Sequence, residues 1–270
     1  MYLVVFPILA ILVAPTNLAA QNPNAKSFPS TPTTFDINRD MLGTWEDVSG
    51  FGGGNCGSLK DERGNSRTTC QFPVDKLEPL MNERAKAWQK FFDEPLSPKW
   101  YCVAGNVTTE LGDGYLWSFS ANSDAVLQQF EQGNWTRYIW VDGRPHPPNE
   151  QVFYQGHAIG RMDGDVFVVE TTNFMFDPDG MDDQSHIATS HMKKQIERYK
   201  ATGPGTMEVE VTVEDPLFFK APFTFKVEYR KARRDWTYEW QCDPDVALHH
   251  LYSTSGQKYP DDEMFKKYKD

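Results

Sequence analysis

A histidine and a glutamate on either side of a tight turn are the residues of this sequence best placed to do chemistry. Residues 151–172 read QVFYQGHAIGRMDGDVFVVETT, with Asp163-Gly164 between two apolar-rich runs. Asp-Gly is typical of a two-residue type I′ hairpin turn, because that turn needs positive φ at both central positions. If these two residues form the turn, His157 lies directly opposite Glu170, with Cβ atoms about 4.5–5.5 Å apart.

An imidazole and a carboxylate at that distance can share a hydrogen bond. The carboxylate fixes the tautomer of the ring and raises the pKa of its other nitrogen, which suits a general base or an oriented metal ligand. A cross-strand salt bridge without a chemical role is the alternative. Gly156 and Gly160 favour the functional interpretation, because a missing side chain beside His157 lets another group approach closely. We therefore predict His157 and Glu170 as catalytic residues.

Two further histidines, His186 and His191, lie in or just after an acidic segment at residues 174–190, FMFDPDGMDDQSHIATS. A long connection in a compact domain is often a lid or a binding loop, so both histidines are added as candidate catalytic residues. With His157 and Glu170 they would allow a His/carboxylate metal site, although their spacing is not a zinc signature. The segment also lacks the spacing and terminal Glu of a calcium loop. We predict no metal and no other cofactor.

Candidate ligand-binding residues follow from the charges and aromatic rings nearby. Glu197 and Arg198 are consecutive on a predicted strand, so their side chains must point to opposite faces. One of them therefore faces the interior, where a charge needs a partner. We predict that these two residues bind the ligand together with Arg161, Trp117 and Tyr154.

The elements that must position these residues are mostly antiparallel strands. The segment 206–214, TMEVEVTVE, alternates apolar and polar residues strictly, and 223–230, FTFKVEYR, does the same. GTWED, at 43–47, predicts a first strand with Trp45 in the core. Shorter strands bounded by Gly, Asn and Asp are predicted at 114–120, 124–131, 134–141 and 236–242. The fold class is mainly β: one antiparallel, barrel-like domain over residues 41–253.

Only one helix is predicted, near residues 76–92, where apolar residues recur at helical spacing before Pro95. Residues 21–40 are rich in Pro, Ser, Thr and Asn and predict a flexible leader. The glycine-rich stretch 49–70 lacks the Gly-Lys-Ser/Thr ending of a phosphate loop and is interpreted as a mobile loop. Residues 254–270 predict a polar tail.

Residues 1–20, MYLVVFPILAILVAPTNLAA, have the apolar run and small final residues of a signal peptide, with an uncleaved anchor as the alternative. They place the protein in the periplasm or outside the cell, without stable membrane insertion by the mature chain. Lys plus Arg number 27 and Asp plus Glu 38, a net charge of −11 that disfavours nucleic acid as a partner.

The four cysteines form no CxxC motif, and an even number behind an export signal predicts two disulfides. Three connectivities are possible. Cys56–Cys70 is favoured because it would close the glycine-rich loop, and Cys102–Cys242 because it would tie an early strand to a late one.

Several motifs together resemble an uncharacterised family of exported bacterial proteins. They are GTWED (43–47), DGRPHP (142–147), GHAIGRMDGDVFVVETTNF (156–174), IERYK (196–200) and MEVEVTVEDP (207–216). The resemblance implies a His at the position of His157 and an acid at that of Glu170, but no established activity. The segment DDQSHIATSH (182–191) departs from the family pattern, which leaves the roles of His186 and His191 open. The Gly-Thr-Trp of the first strand is also similar to the Gly-x-Trp of lipocalins and other calycin barrels.

Two functions are consistent with these features. In the first, an exported enzyme of isomerase, lyase or hydrolase type uses His157, oriented by Glu170, for general acid–base chemistry on a small, partly apolar metabolite held in the barrel. In the second, a calycin-like protein binds a small hydrophobic ligand without turning it over.

Overall fold

The computed structural model describes residues 35–48, 57–60, 66–69, 74–111, 115–183 and 185–255. The predicted signal peptide, the leader up to residue 34, the Cys56–Cys70 bridge and the tail beyond residue 255 lie outside the described residues. Residues 35–40 of the predicted leader belong to the fold, because Phe35 and Ile37 are buried in the core.

Nine strands form a closed barrel in the order β1-β13-β12-β11-β8-β7-β6-β5-β4. Two smaller sheets pair β9 with β10 and β2 with β3. The strands are β1 (Gly43–Asp47), β2 (Gly57–Lys60), β3 (Ser66–Thr69), β4 (Trp117–Ala121), β5 (Ala125–Phe130), β6 (Thr136–Trp140), β7 (His157–Asp163), β8 (Val166–Thr172), β9 (Asp177–Asp182), β10 (Ile187–Thr189), β11 (Lys194–Gly203), β12 (Thr206–Glu214) and β13 (Phe223–Lys231). The helices are α1 (Val74–Leu77), α2 (Glu83–Phe91), α3 (Val107–Glu110) and α4 (Pro244–Ser255).

The alternation of β12 and β13 builds one wall of the core, as predicted. Val209 pairs with Val227 and Val211 with Phe225, and all four side chains face the barrel interior. Trp45 on β1 is buried there too. The mainly β, barrel-like fold predicted from the sequence is confirmed.

A charged pair crosses the interior of the barrel. Arg137 on β6 and Glu197 on β11 lie on strands that are not neighbours, and their side chains are 2% and 0% exposed. Two hydrogen bonds join them, Nη1 to Oε1 at 2.9 Å and Nη2 to Oε2 at 2.5 Å. Glu197 is therefore the inward member of the Glu197–Arg198 pair, and Arg137 is the partner that its charge requires.

The β7–β8 hairpin forms where it is predicted, but its register differs by two residues. Asp163 pairs with Val166, so Gly164 and Asp165 form the turn, and His157 pairs with Thr172 and not with Glu170. Gly164 has φ +61° at the first central position, which is the requirement of a type II′ turn. A shift of two residues keeps His157 and Glu170 on the same face of the hairpin. His157 and Glu170 are therefore diagonal neighbours on the outer face.

Several predicted elements are different in the structure. The glycine-rich stretch 49–70, predicted as a mobile loop, contains the two-stranded sheet of β2 and β3. The helix near 76–92 is divided, because Pro79 sits in a 3₁₀ turn and Met81 leaves the helix to pair with Phe219. The predicted strand at 236–242 is irregular, and α4, which has no counterpart in the prediction, follows it. The acidic segment 174–190 is not a loop, because most of it forms the β9–β10 hairpin with buried Asp177 and Asp179.

A disulfide joins Cys102 to Cys242 across 140 residues of sequence, with a Cα–Cα distance of 5.7 Å. This pairing is the one that the sequence favours. It does not tie two strands, however, since Cys102 ends a 3₁₀ turn and Cys242 precedes α4. Among the described residues, no helix is both long and apolar enough to cross a membrane.

Candidate functional site

A groove on the outside of the barrel contains His157. β6 and β7 are parallel neighbours, so the chain between them must return along the barrel before β7 can begin. This connection, residues 141–156, passes over the outer face of β6, and an open cavity of about 870 Å³ lies between them. We call this cavity the groove.

The connection is held in place by Asn173, just after β8. Asn173 has φ +57°, and its side-chain amide donates hydrogen bonds to the carbonyl oxygens of Pro148, at 3.0 Å, and Gln151, at 2.9 Å. The backbone N–H of Phe153 donates to the Asn173 carbonyl at 2.8 Å. These bonds fix the wall of the groove that faces His157.

His146, from the connection, pairs with His157. The Nδ1 atoms of the two rings are 3.0 Å apart, so in the neutral pair one nitrogen donates the hydrogen bond and the other accepts it. Both rings are half-buried and line the groove. No described residue forms a hydrogen bond with Nε2 of His157, which leaves that nitrogen for a bound molecule.

Glu170 contacts His146 and Lys194, not His157. Its Oε2 is 2.7 Å from Nζ of Lys194, and its Oε1 is 3.4 Å from Nε2 of His146. The second contact is electrostatic, because Nε2 of His146 is buried without a well-formed hydrogen bond. The Lys194 ammonium holds the pKa of Glu170 below its usual value, so this carboxylate is ionised at neutral pH.

These contacts favour one arrangement of protons on the ring nitrogens of His146 and His157. The ionised Glu170 favours a proton on Nε2 of His146, and Nδ1 of that ring then accepts. His157 must then donate from Nδ1 and present an unprotonated Nε2. The arrangement can therefore supply a general base at His157, with His146 as the link to the carboxylate.

Acid should weaken this site. Burial lowers the pKa of both His146 and His157 from the usual 6.5, and for His157 the neighbouring ring lowers it further. The folded protein thus binds these protons less readily than the unfolded chain. The stability that the neutral pair contributes is fully present above about pH 6.5, the pKa of histidine in the unfolded chain. It is lost as the pH falls from about 6.5 towards the lower pKa values of the two rings in the folded protein. Nitrogen-detected NMR titration should show both rings neutral at pH 7.

A double variant, His146→Gln with His157→Gln, isolates this contribution. Urea unfolding at pH 7.5 and pH 5.0 should show a smaller loss of stability at low pH in the variant than in the wild-type protein. Equal pH dependence in the two proteins would contradict the assignment.

Some interpretations of this region are wrong. The sequence suggests an exposed His146 in a simple turn, yet this residue is half-buried at the centre of the site. Gly156 and Gly160 make room for the protein's own packing, not for a ligand. A Cβ at Gly160 would lie 2.4 Å from Cζ of Phe167, and one at Gly156, where φ is +70°, would lie 2.9 Å from the carbonyl oxygen of Thr172.

The structure places the other two candidate histidines outside the groove. His186 stacks on Phe92, with ring centroids 4.1 Å apart, and its Nε2 is 3.3 Å from Oε1 of Glu94. Burial lowers the pKa of His186. His191 is exposed in the turn after β10. Within the described part of the chain, no contact connects either residue to His157.

The predicted ligand-binding residues are divided between three environments. Tyr154 lines the groove, and burial and the negative charge of Asp177 raise the pKa of its hydroxyl. Arg161, which is exposed, and Arg198, which is half-buried, lie on the outer face of the barrel. Trp117 and Glu197 are inside the barrel and do not line the groove.

Reasoning from the sequence missed His146, Lys194 and Arg137. The signal for His146 was the DGRPHP motif, whose prolines stiffen a connection that carries a histidine. Within the residues that the structure describes, no group of three or more His, Cys, Asp and Glu residues is arranged to hold a metal ion.

No protein-family model, curated protein or solved structure matches this chain. The resemblance to exported bacterial proteins and to calycins therefore stays a prediction, and the function must be argued from the groove.

Proposed function

We propose that this protein is an exported enzyme that binds a small, partly apolar molecule in the groove and moves a proton with His157. The reaction is of isomerase, lyase or hydrolase type. The observation that carries this proposal is the chain of contacts Lys194–Glu170–His146–His157, which ends at a ring nitrogen to which no described residue hydrogen-bonds.

The chemistry follows from the charges along that chain. The His157 imidazole is neutral at neutral pH, so its Nε2 is free to accept a proton, and the resulting positive charge would be shared with His146 and stabilised by Glu170. Lys194 keeps Glu170 ionised. In a proton transfer, His157 would take the proton at Nε2 and return it at the same atom.

The location of the substrate differs from the one expected from the sequence. Large side chains, among them Trp45, Trp117 and Tyr199, pack the barrel interior, and the Arg137–Glu197 pair lies across it. The groove, in contrast, is bounded by apolar and aromatic residues next to His157. We therefore place the substrate outside the barrel, between β6 and the connection.

Binding without turnover is the second candidate. Exposed apolar side chains in the groove, such as Val152, Phe153 and Met175, favour it, because such surface gains free energy when a ligand covers it. In that case the histidine pair would only orient a polar group of the ligand.

The two candidates can be separated even while the substrate is unidentified. Wild-type protein, His157→Asn and His191→Asn are each incubated with a metabolite mixture, which is then compared by mass spectrometry. We expect the wild type and His191→Asn to deplete the same molecule and form its product, and His157→Asn to leave it unchanged. His191→Asn is the matched control, since His191 is exposed and outside the groove.

A molecule that co-purifies with wild-type protein and with His157→Asn, but is never converted, would support the binding protein. Neither depletion nor retention of any molecule would overturn both candidates and leave the histidine pair with a structural role.

A further inference from the structure

One wall of the groove is a column of stacked planar groups. The guanidinium carbon of Arg144 lies 3.4 Å from the ring centroid of Trp140. The rings of Trp140 and Tyr138 are 5.5 Å apart and inclined by only 16°. Three flat groups thus follow one another along the outer face of β6.

The column is built into the sequence of β6. Thr136, Tyr138 and Trp140 alternate with the inward Arg137 and Ile139, so all three lie on the outer face. Arg144 is fixed at one end by Asp142, with Nη2 to Oδ2 at 2.6 Å and Nε to Oδ1 at 3.0 Å. The pair also neutralises the guanidinium charge, so this end is not a site for an anion.

The other end of the column is open. Tyr138 is 48% exposed although it lines the groove, and its ring contacts no aromatic ring of the described chain other than Trp140. The next residue on the same face, Thr136, has a small side chain and is also exposed. The column therefore has room for one more flat group, which would stack on Tyr138 above the small side chain of Thr136.

We propose that this open position binds a planar, conjugated ring of the substrate, stacked on Tyr138. This inference rests on the proposed function and names its substrate class: a ring-bearing molecule whose reacting group reaches His157. Tyr138 is then a positioning residue. It holds the ring, while the chemistry takes place at the histidine pair of the same groove, where His157 lies beside Tyr138 on the neighbouring strand.

The lining of the groove favours a flat conjugated ring over a flexible chain or a sugar. Aromatic faces attract other aromatic rings beyond the simple burial of area, whereas an aliphatic chain gains only that burial. Proline and apolar residues form much of the rest of the lining, including Pro145, Pro147, Pro148, Val152 and Phe153. A sugar would need hydrogen-bonding partners for most of its hydroxyl groups. The exposed surface of the groove is mainly apolar, and two of its polar side chains, Arg144 and Gln155, already bind Asp142 and the carbonyl oxygen of Gly105.

A pair of probes of nearly equal size tests the inference: 2-naphthol, which is planar, and decahydro-2-naphthol, its saturated analogue. Binding of each is measured by calorimetry to the wild-type protein, to Tyr138→Leu and to Tyr101→Leu. We expect wild type to prefer 2-naphthol by about 3- to 10-fold, as aromatic pairing implies. Tyr138→Leu, which keeps an apolar surface, should abolish that preference and leave the saturated probe unaffected.

Tyr101→Leu is the matched control, because Tyr101 is similarly exposed and lies outside the groove. It should retain the full preference. Equal affinity of the two probes for wild type, no binding of either, or an equal loss of both in Tyr138→Leu would overturn the ring site.

The same data separate this inference from the proposed function. A ring preference that depends on Tyr138, without turnover of any metabolite, would overturn the reaction and leave the ring site. Turnover of a molecule without a ring, at a rate unchanged in Tyr138→Leu, would overturn the ring site and leave the reaction.

Discussion

Replacing Glu197 by leucine should destabilise the protein by about 3–5 kcal/mol, since it leaves the Arg137 charge buried without its counter-ion. In the wild-type protein, burial alone would lower the pKa of Arg137, but Glu197 and Tyr199 raise it overall, so the guanidinium is charged. The substitution also removes the acceptor for the Tyr199 hydroxyl, at 2.5 Å, and for Nε2 of Gln195, at 2.9 Å. Urea unfolding monitored by tryptophan fluorescence measures the change.

The neighbouring residue provides the control for this experiment. Arg198→Met removes a solvent-accessible ion pair with Asp163, 3.2 Å long, and should cost less than about 1 kcal/mol. The double variant Arg137→Met with Glu197→Leu should be more stable than Glu197→Leu alone, because no charge is left uncompensated. If Glu197→Leu unfolded within about 1 kcal/mol of the wild-type protein, the buried pair would not have the role assigned to it.

Under the proposed function, His157→Asn should reduce kcat by about 10²- to 10⁴-fold, the usual contribution of a general base. KM should change little, because the ring site and the apolar wall remain. Glu170→Gln and His146→Asn should have smaller effects, about 10- to 100-fold, since both residues act on the substrate only through His157. Steady-state kinetics on the molecule found by mass spectrometry would give these values.

Unfolding curves separate a catalytic effect from a structural one. His157 is half-buried on the outer face, and replacing it by asparagine removes one hydrogen bond, the one with His146. His157→Asn should therefore lower the free energy of unfolding by no more than about 1.5 kcal/mol. If His157→Asn retains most of the wild-type kcat, or loses activity only in proportion to its folded fraction, His157 has no part in the mechanism.

The regular strands can be predicted from the sequence because apolar and polar residues alternate along their whole length. In β12 and β13, each apolar residue is separated from the next by one polar residue, and the burial of Val209 and Val227 on one face follows from this pattern. Trp45, the large apolar residue of the predicted first strand, is buried as expected. These elements needed no information from distant parts of the chain.

The hairpin register was not fixed by its turn residues. Asp163-Gly164 suits a type I′ turn, whereas Gly164-Asp165 suits a type II′ turn, and the sequence contains both. Packing of the barrel decides between them. His157 and Glu170 therefore share one face of the hairpin, as expected, but they are not directly opposed, and that face is the outside of the barrel.

The partners of the site come from other parts of the fold. His146 reaches His157 only because β6 and β7 lie side by side, and Arg137 reaches Glu197 only because the barrel closes. Neither contact leaves a periodic signal in the sequence. The acidic pattern of 174–190 was misread for a related reason, since its aspartates are buried in the β9–β10 hairpin by long-range contacts.

The parallel contact between β6 and β7 has a simple arithmetical origin. Strands around a closed ring can alternate in direction throughout only if their number is even, and this barrel has nine. One same-direction junction is therefore unavoidable, and the chain must travel back along the outside of the barrel to make it. Because residues 141–156 do this without supplying a barrel strand, their sequence can change the shape of the groove while the hydrogen bonds of the barrel stay intact. A change in what the groove binds should thus arise most easily by changes in that stretch.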